Sequence, residues 1–418
     1  MNHTRRKEGY MRCMFRWALI TAVILSYHIL NPATAYPEPL KFSSSTQFLW
    51  GDDLLGDSQN VLAQYIRFSY APEGQNVSVT GYGRLIYDFN GTPFYDNTPG
   101  FIGKLYYLYV DYKPVQNVSL RLGRQFMAFT SGKSLMDGLR VDVHNLGPFG
   151  ITLAGGMDVT PTLDSAYSRL GNYFWGVDLH LEKIRSFQLG ISFAEKFDEW
   201  DRARESIGAN FRYMHKYFSP YADVRYDWFT RSFDEATVGL DIYPLSSLLI
   251  KAEYYHAYPT FDTTSIYSVF AVDKYSEYLL HAEYSFEAPV AVYAAYARQT
   301  YDEGDKADRF SLGVKVFPIK GLVLNASVDY RHGYGGNLWG FELTGDYRIL
   351  EKFIVSAGIQ YDEYQRPDQN GDNFARRYWI GGGWLITKNL SAIARIEDNV
   401  NESFKHRPLG RVALNWNL

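Results

Sequence analysis

The sequence contains a single cysteine, Cys13, among 418 residues. That cysteine falls within an N-terminal segment that we expect to be removed, so the mature chain would have no thiol. This absence excludes disulfide bonds, thiolate metal sites and the C-x-x-C-H attachment site of c-type haem. We therefore predict a fold without covalent cross-links and without a bound cofactor.

Long hydrophobic runs are absent after the first 35 residues. Before that point, basic residues precede an apolar stretch from Trp17 to Leu30, and Ala33-Thr34-Ala35 fits a signal peptidase site. The apolar stretch has about 14 residues, fewer than the ~20 that a membrane-spanning helix needs. We predict a secretory signal peptide over residues 1–35, cleaved before Tyr36, with an uncleaved N-terminal anchor as the alternative.

An excess of positive charge is also lacking. The whole chain has 42 Lys and Arg against 46 Asp and Glu, a net charge of −4. Loss of residues 1–35 removes five basic residues and one acidic residue, so the mature charge is 37 minus 45, or −8. A nucleic-acid-binding surface needs clustered positive charge, and we expect no nucleic acid partner.

What the chain does contain is an alternation of apolar and polar side chains from about Val61 to Leu418. The stretch after Pro318–Gly321 is typical: one face carries Leu322, Leu324, Ala326, Val328 and Tyr330, and the other Val323, Asn325, Ser327, Asp329 and Arg331. A period of two residues predicts β-strands, whose successive side chains point to opposite faces.

We predict 22 strands in this pattern. They lie at 42–50, 60–70, 76–89, 101–112, 117–126, 137–145, 148–158, 171–182, 186–196, 204–214, 219–229, 233–243, 247–257, 274–286, 289–300, 306–317, 321–331, 336–348, 351–363, 374–386, 389–397 and 407–418. Repeated segments of about 10 residues with one apolar or aromatic face are typical of a transmembrane antiparallel β-barrel. The first segment is the weakest, so the prediction is about 20–22 strands, with 18 possible. A soluble all-β sandwich or solenoid is the alternative fold.

The breaks between the segments alternate between short and mostly longer ones. This rhythm predicts short periplasmic turns on one rim and longer extracellular loops on the other. No linker divides residues 36–418, which we interpret as a single barrel domain. The breaks at 127–136 and 258–273 are the candidates for a loop that folds inward and constricts the lumen.

Charged residues occupy the non-apolar face of several strands. A charge on the lipid face costs about 2–4 kcal/mol near the midplane of the membrane, so these residues should face the lumen. The candidates for lumen and selectivity residues are Arg121, Arg140, Asp142, Asp223, Arg225, Asp227, Lys251, Glu253, Glu342, Asp346, Arg348, Arg395 and Glu397. Arg121 and Arg140 could attract anionic solutes, or could form structural pairs with Asp142 or another acid of the wall.

One hairpin and the last strand resemble a known group of proteins. The run Ser119–Gln125, followed by Gly132 and Asp137-Gly138, resembles the R-x-G-R-Q … G … D-G hairpin of Gram-negative outer-membrane porin-like barrels. The C-terminal strand, with Val412, Leu414, Trp416 and Leu418 on its apolar face, resembles their assembly signal, although the family usually ends in Phe or Trp. The resemblance implies an outer-membrane location, contact with membrane lipid and lipopolysaccharide, recognition by the barrel assembly machinery, and a possible homotrimer.

Enzymatic and metal chemistry have little support in the sequence. The strand histidines His144, His180 and His281 are scattered, and their spacing suggests no catalytic group with a serine or aspartate. The acidic loop Asp368–Asp372 lacks the spaced bidentate Glu of an EF-hand. We predict that the protein is not an enzyme and holds no metal.

These observations favour a porin-like channel for passive diffusion of small hydrophilic solutes or ions. A second hypothesis is that the barrel resembles the sheath of a porin–cytochrome conduit, which would surround a multihaem cytochrome without holding haem itself. A third, an exporter of an anionic polysaccharide, predicts a continuous ladder of Arg and Lys through the lumen.

Overall fold

The computed structural model describes residues 40–52, 58–90, 100–161, 166–182, 184, 186–258, 274–286, 289–302, 304–365, 373–402 and 404–418. The predicted signal peptide lies outside these ranges. So do residues 259–273 of the second candidate constriction loop and the acidic loop Asp368–Asp372.

The described chain consists of 22 strands joined by turns and loops. They are β1 (Leu40–Asp52), β2 (Ser58–Tyr70), β3 (Val77–Asp88), β4 (Gly100–Val115), β5 (Val118–Phe129), β6 (Gly132–Leu146), β7 (Phe149–Pro161), β8 (Ala166–Leu181), β9 (Phe187–Asp198), β10 (Asp201–Tyr213), β11 (Phe218–Asp227), β12 (Ser232–Leu245), β13 (Leu248–Ala257), β14 (Tyr275–Ser285), β15 (Val290–Tyr301), β16 (Lys306–Val316), β17 (Leu322–Gly333), β18 (Asn337–Ile349), β19 (Phe353–Gln365), β20 (Asn373–Leu385), β21 (Leu390–Asn401) and β22 (Arg407–Asn417).

Each strand pairs with its neighbours in the sequence, and the first strand pairs with the last. The register between β1 and β22 is antiparallel and runs from Ser43↔Asn417 to Gly51↔Leu409, which closes the sheet into a barrel. The predicted barrel is therefore confirmed with 22 strands, including the weak segment at 42–50. No helix in the described part of the chain is long and apolar enough to cross a membrane.

The two faces of the wall differ in chemistry as the alternation predicts. Large apolar side chains stand exposed on the outer face, for example Leu122, Leu343 and Val328, which are 64%, 48% and 42% exposed. Aromatic side chains gather near both ends of this face. Phe42 lies 5.3 Å from Trp416 at the rim where the described chain starts and ends, called here the terminal rim, and Tyr226 lies 5.3 Å from Phe233 near the opposite rim. This distribution suits an apolar band bounded by two aromatic belts.

Two of the predicted long loops on the opposite rim are tight turns instead. The break at 127–136 consists of strand up to Phe129, the two residues Thr130-Ser131, and strand again from Gly132. The break at 197–203 reduces to Glu199-Trp200, whose φ angles of 51° and 75° fit a two-residue hairpin turn. In both places the strands continue further toward the turn than the alternation indicates.

Candidate functional site in the barrel lumen

The tip of the β5–β6 hairpin leaves the barrel wall. Pairing of β5 with β4 reaches only Leu108↔Arg124, and pairing of β6 with β7 begins only at Met136↔Asp158. Between these points β5 and β6 pair with each other, down to Phe129↔Gly132. We call residues 125–135 the infolded hairpin, because its side chains contact the inner faces of β8, β9 and β10.

A small apolar core holds the infolded hairpin against the wall. Met127, Phe129 and Met136 are 2%, 5% and 0% exposed, and they form one buried cluster with Phe174 of β8, Ala194 of β9 and Ala154 of β7. The rings of Phe129 and Phe174 are stacked with their centroids 6.3 Å apart. The inner face of the barrel is therefore covered at this point by a second layer of β-structure.

Hydrogen bonds fix the turn of the infolded hairpin on β9 and β10. The backbone N–H of Ser131 donates to Ser192 Oγ at 2.8 Å, and the amide of Asn210 donates to Thr130 Oγ1 at 2.9 Å. Gly208 makes the approach possible, because a Cβ at this position would lie 2.3 Å from the Ser131 nitrogen. The wall strand thus has a glycine where the hairpin backbone rests on it.

A bidentate ion pair lies at the root of the infolded hairpin. Arg124 Nε and Nη2 each lie 2.8 Å from an oxygen of Asp137, the cross-strand partner of Arg124 on β6. Arg124 Nη1 also donates to the carbonyls of Ala166 on β8, at 2.7 Å, and Leu105 on β4, at 3.4 Å. One guanidinium therefore connects four strands at the point where the hairpin departs from the wall.

The R-x-G-R-Q residues surround the same root. Gly123 has a φ of 127°, and a Cβ there would lie 2.4 Å from the Leu108 carbonyl oxygen. Its partner Gly138 is equally close-packed, with a Cβ position 2.3 Å from the Gly155 oxygen. Gln125 is fully buried and donates to the Gly138 carbonyl at 3.0 Å. These glycines let the backbones come close together where the sheet turns inward.

Most of the predicted lumen cations have an acidic partner on the wall. Arg121 pairs with Asp111 at 2.7 Å, a partner that we did not predict, and Arg140 pairs with Asp142 at 2.7 Å. The remaining close pairs are Arg225 with Asp234 at 2.5 Å and Glu235 at 3.1 Å, Lys251 with Glu253 at 2.9 Å, and Arg395 with Glu397 at 3.0 Å. The structural pairing that we considered for Arg121 and Arg140 is thus observed, and five of the six predicted lumen cations have an acid of the wall as a partner.

The other predicted lumen residues are not brought together into one site. Glu342 lies 4.0 Å from Arg377, and Asp346 accepts from Ser356 at 2.5 Å. Asp227 is 2% exposed and accepts the N–H groups of Phe229 and Thr230, so it caps the β11–β12 turn. Asp223 lies near the charged groups of Glu235, Arg225 and Lys133. Arg348 is exposed at the terminal rim.

Five lumen-facing tyrosines form a group that the alternation of the sequence does not predict. A β-bulge in β4, opposite Tyr82 and Gly83 of β3, places the consecutive residues Tyr106 and Tyr107 on the same face. Their rings lie 4.8 Å and 5.6 Å from the ring of Tyr82. Tyr65 and Tyr109 extend the group on either side, and the Arg121 guanidinium lies 4.0 Å from the centroid of the Tyr109 ring.

Two of the three histidines named in the sequence analysis, His144 and His180, lie with acids at the terminal rim. His144 Nδ1 is 2.6 Å from Glu182 Oε1, and His180 Nδ1 is 2.8 Å from Asp178. Burial alone would raise the pKa of Glu182, but the N–H of Asn145 and the imidazole of His144 outweigh it, so this pKa is lowered. His281, the third, is 4.0 Å from Glu283. Within the described ranges, no three His, Cys, Asp or Glu side chains are arranged to hold a metal ion.

The predicted assembly residues form the outer face of the closing strand. Val412 is 45% exposed there, and Leu414 and Trp416 lie opposite Thr46 and Ser44 of β1. Leu418 exchanges backbone hydrogen bonds with Phe42, at 2.8 Å and 3.3 Å. The end of the chain is thus fixed to the first strand.

Comparison with known proteins gives likenesses of structure only. The sequence matches no protein-family model and no curated protein. The siderophore receptor PirA from Pseudomonas aeruginosa superimposes with a TM-score of 0.60 and 10% identity, over 92% of this chain and 81% of that one. The translocation pore of the P pilus usher PapC gives 0.51 and 10%, over 90% and 99%. OccAB2 from Acinetobacter baumannii gives 0.48 and 10%, over 91% and 97%. The likenesses to PirA and PapC show that the chain shares the closed antiparallel fold of outer-membrane barrel proteins.

Proposed function

We propose that this barrel is an outer-membrane channel for passive diffusion of small hydrophilic solutes or ions, and that the infolded hairpin narrows its lumen. The observation that carries the proposal is the hairpin itself, which adds a fixed second layer to the inner wall. A barrel that served only to seal around a large partner would gain nothing from such a layer.

The dimensions of the barrel support a water-filled interior. A circular barrel of 22 strands, spaced about 4.8 Å apart and tilted by about 40°, would be roughly 40 Å across between backbones. Side chains cannot fill such a space, whereas they can fill an eight-stranded barrel. A second β-layer lies about 10 Å from the first, so the infolded hairpin narrows the passage from one side.

The pairing of the wall cations with carboxylates favours weak selectivity. Cations such as Arg121 and Lys251 have a carboxylate within 3 Å, so each pair presents a dipole to the lumen more than a net charge. A continuous basic ladder, as an exporter of an anionic polysaccharide would need, has little support in this arrangement. We expect small ions of both signs to pass.

The location and partners follow from the same proposal. The chain would be secreted with its signal peptide cleaved near Ala35, and inserted into the outer membrane of a Gram-negative bacterium by the barrel assembly machinery. The outer face would contact lipid and lipopolysaccharide. A homotrimer is the oligomeric state to test first, by cross-linking in native membranes.

Bilayer recording tests the channel. We expect the purified, folded barrel to give discrete current steps in a planar bilayer with KCl on both sides. A folded preparation that gives no steps at any voltage would overturn the proposal. The haem absorbance of protein isolated from native membranes is the companion measurement: a barrel that lacks currents and co-purifies with c-type haem would instead fit the sheath of a cytochrome conduit.

A further inference from the structure

A recess of about 560 Å³ lies on the inner wall where the barrel closes, between β21, β22 and the first three strands. Apolar side chains line much of it, among them Leu49, Val61, Ile86 and Leu409. The volume falls within the range of ligand pockets, about 300–1,000 Å³.

Two arginines stand side by side at the edge of the recess. Arg395 of β21 and Arg411 of β22 are direct cross-strand partners, and both belong to its lining. Arg395 is engaged, because it pairs with Glu397 at 3.0 Å and its guanidinium lies 4.4 Å from the centroid of the Trp379 ring. Arg411 is exposed and makes no ion pair within the residues that the structure describes.

A comparison with another arginine pair shows that this one is unbalanced. Arg121 and Arg140 are also direct cross-strand partners, but each has its own aspartate, Asp111 or Asp142, at 2.7 Å. Like charges directly opposite each other destabilise a sheet. In the Arg121–Arg140 pair, two aspartates offset this repulsion. Arg395 and Arg411 have only one acid between them, Glu397. The recess therefore carries one uncompensated positive charge beside an apolar surface.

We propose that the recess binds a small organic monoanion with a compact apolar body. The carboxylate of such a ligand would accept hydrogen bonds from Arg411, and its hydrocarbon part would cover Leu49, Val61 and Leu409. Charge and apolar surface are both required, so a bare anion or a cationic analogue would not satisfy the site. This assignment rests on the proposed channel for its transport role, because a solute bound here would lie on the diffusion path.

Calorimetry on the full chain in lipid nanodiscs tests the site, with cyclohexanecarboxylate as the probe. We expect saturable binding with one site per chain. Acetate, which has the charge without the body, and cyclohexylammonium, which has the body with the opposite charge, should not bind saturably. Removing a hydrogen bond to a charged group weakens binding by about tenfold or more, so Arg411→Gln should lose that factor and Arg411→Lys should recover part of it.

Two further variants separate the site from a general effect on the barrel. Leu49→Asn removes apolar surface at a position that is 38% exposed, and it should weaken binding without a steric clash. Lys320→Gln removes an exposed cation from the β16–β17 turn, away from the recess lining, and should bind like the wild type. Circular dichroism establishes that each variant is folded.

Wild-type protein without saturable binding would overturn the assignment, as would equal binding by Arg411→Gln or by acetate. Calorimetry detects binding in a closed barrel as well as in an open one, and bilayer currents detect the channel without the ligand. Failure of the recess and failure of the channel would therefore be distinguishable.

Discussion

Gly208→Ala should loosen the infolded hairpin without touching its own sequence. The new Cβ would lie 2.3 Å from the Ser131 nitrogen, where uncrowded contacts begin at about 3.4 Å, so the turn must move by about 1.1 Å. Such a shift would lengthen or break the Ser131–Ser192 hydrogen bond, which is 2.8 Å long, and the Thr130–Asn210 hydrogen bond, which is 2.9 Å long. The substitution therefore acts on the docking of the hairpin.

The expected size follows from those two bonds. A typical hydrogen bond contributes about 0.5–1.5 kcal/mol, so the loss of both weakens docking by about 1–3 kcal/mol. Each 1.4 kcal/mol is a factor of ten, so the undocked fraction should rise by a factor of about 5 to 140. In single-channel recordings we expect a larger mean conductance, with more frequent excursions to a wider level.

A matched variant tests whether the position matters. Gly383 also has lumen-facing parity, but a Cβ there would meet nothing closer than the Ala392 carbonyl oxygen at 3.9 Å. Gly383→Ala should therefore give the same single-channel conductance and noise as the wild type. If Gly208→Ala and Gly383→Ala give the same conductance and noise as the wild type, the infolded hairpin does not limit the current, and our explanation of the constriction is wrong.

Three further predictions concern other parts of the wall. Arg124→Gln and Asp137→Asn should each lower the free energy of unfolding in detergent by about 1–3 kcal/mol. Because the side chains of this bidentate pair are only 14% and 26% exposed, a double-mutant cycle should show coupling between them. Additive losses would contradict this. Lys251→Gln leaves the carboxylate of Glu253 without its cation, so the reversal potential in a KCl gradient should shift toward cation selectivity, and Glu253→Gln should shift it the other way; identical shifts would refute the charge argument. Because the pKa of Glu182 is lowered from 4.5 in the folded state, its contribution to stability is present above about pH 4.5 and is lost as the pH falls through the folded value; Glu182→Gln should show a smaller loss of stability on acidification than the wild type, and parallel curves would exclude the carboxylate.

The regular part of the barrel was predictable because one rule governs it. In strands such as β17, one face meets the apolar exterior and the other the polar lumen, so alternation identifies the strand and both its faces. The weak segment at 42–50 follows the same rule less clearly, since its outer face includes Ser44 and Thr46. Its place in the barrel follows from its pairing with β22. That strand lies at the other end of the chain, so the local sequence pattern does not reveal the pairing.

The infolded hairpin was predictable in position but not in form. The run Phe126-Met127-Ala128-Phe129 is apolar on both faces, so it gives no signal of period two. The structure supplies the reason: Met127 and Phe129 are buried against the wall, while Phe126 is 56% exposed on the other face. A strand that lies inside the lumen and not in the wall does not separate lipid from water. Its two faces therefore need not alternate between apolar and polar side chains.

The pairing of lumen charges depended on distance along the chain. Arg140–Asp142 and Lys251–Glu253 are two residues apart on one face of a strand, so the sequence brings them together. Arg121 instead pairs with Asp111 on the neighbouring strand, a contact that requires knowledge of the register. The tyrosine group likewise depends on the bulge at Tyr106, whose extra residue the alternation does not reveal.

The seam between β1 and β22 has a consequence for how the barrel folds. The pairings between consecutive strands join residues near each other in the chain, whereas Ser43↔Asn417 joins the two ends of the described sequence. Loop-closure entropy grows as (3/2)RT ln n, so closing this seam costs about 2–3 kcal/mol more than closing one hairpin of about 25 residues. The sheet should therefore grow by successive hairpins in order of the chain and close last. The same seam, at which Arg411 and the recess lie, should be the first part of the wall to open under strain.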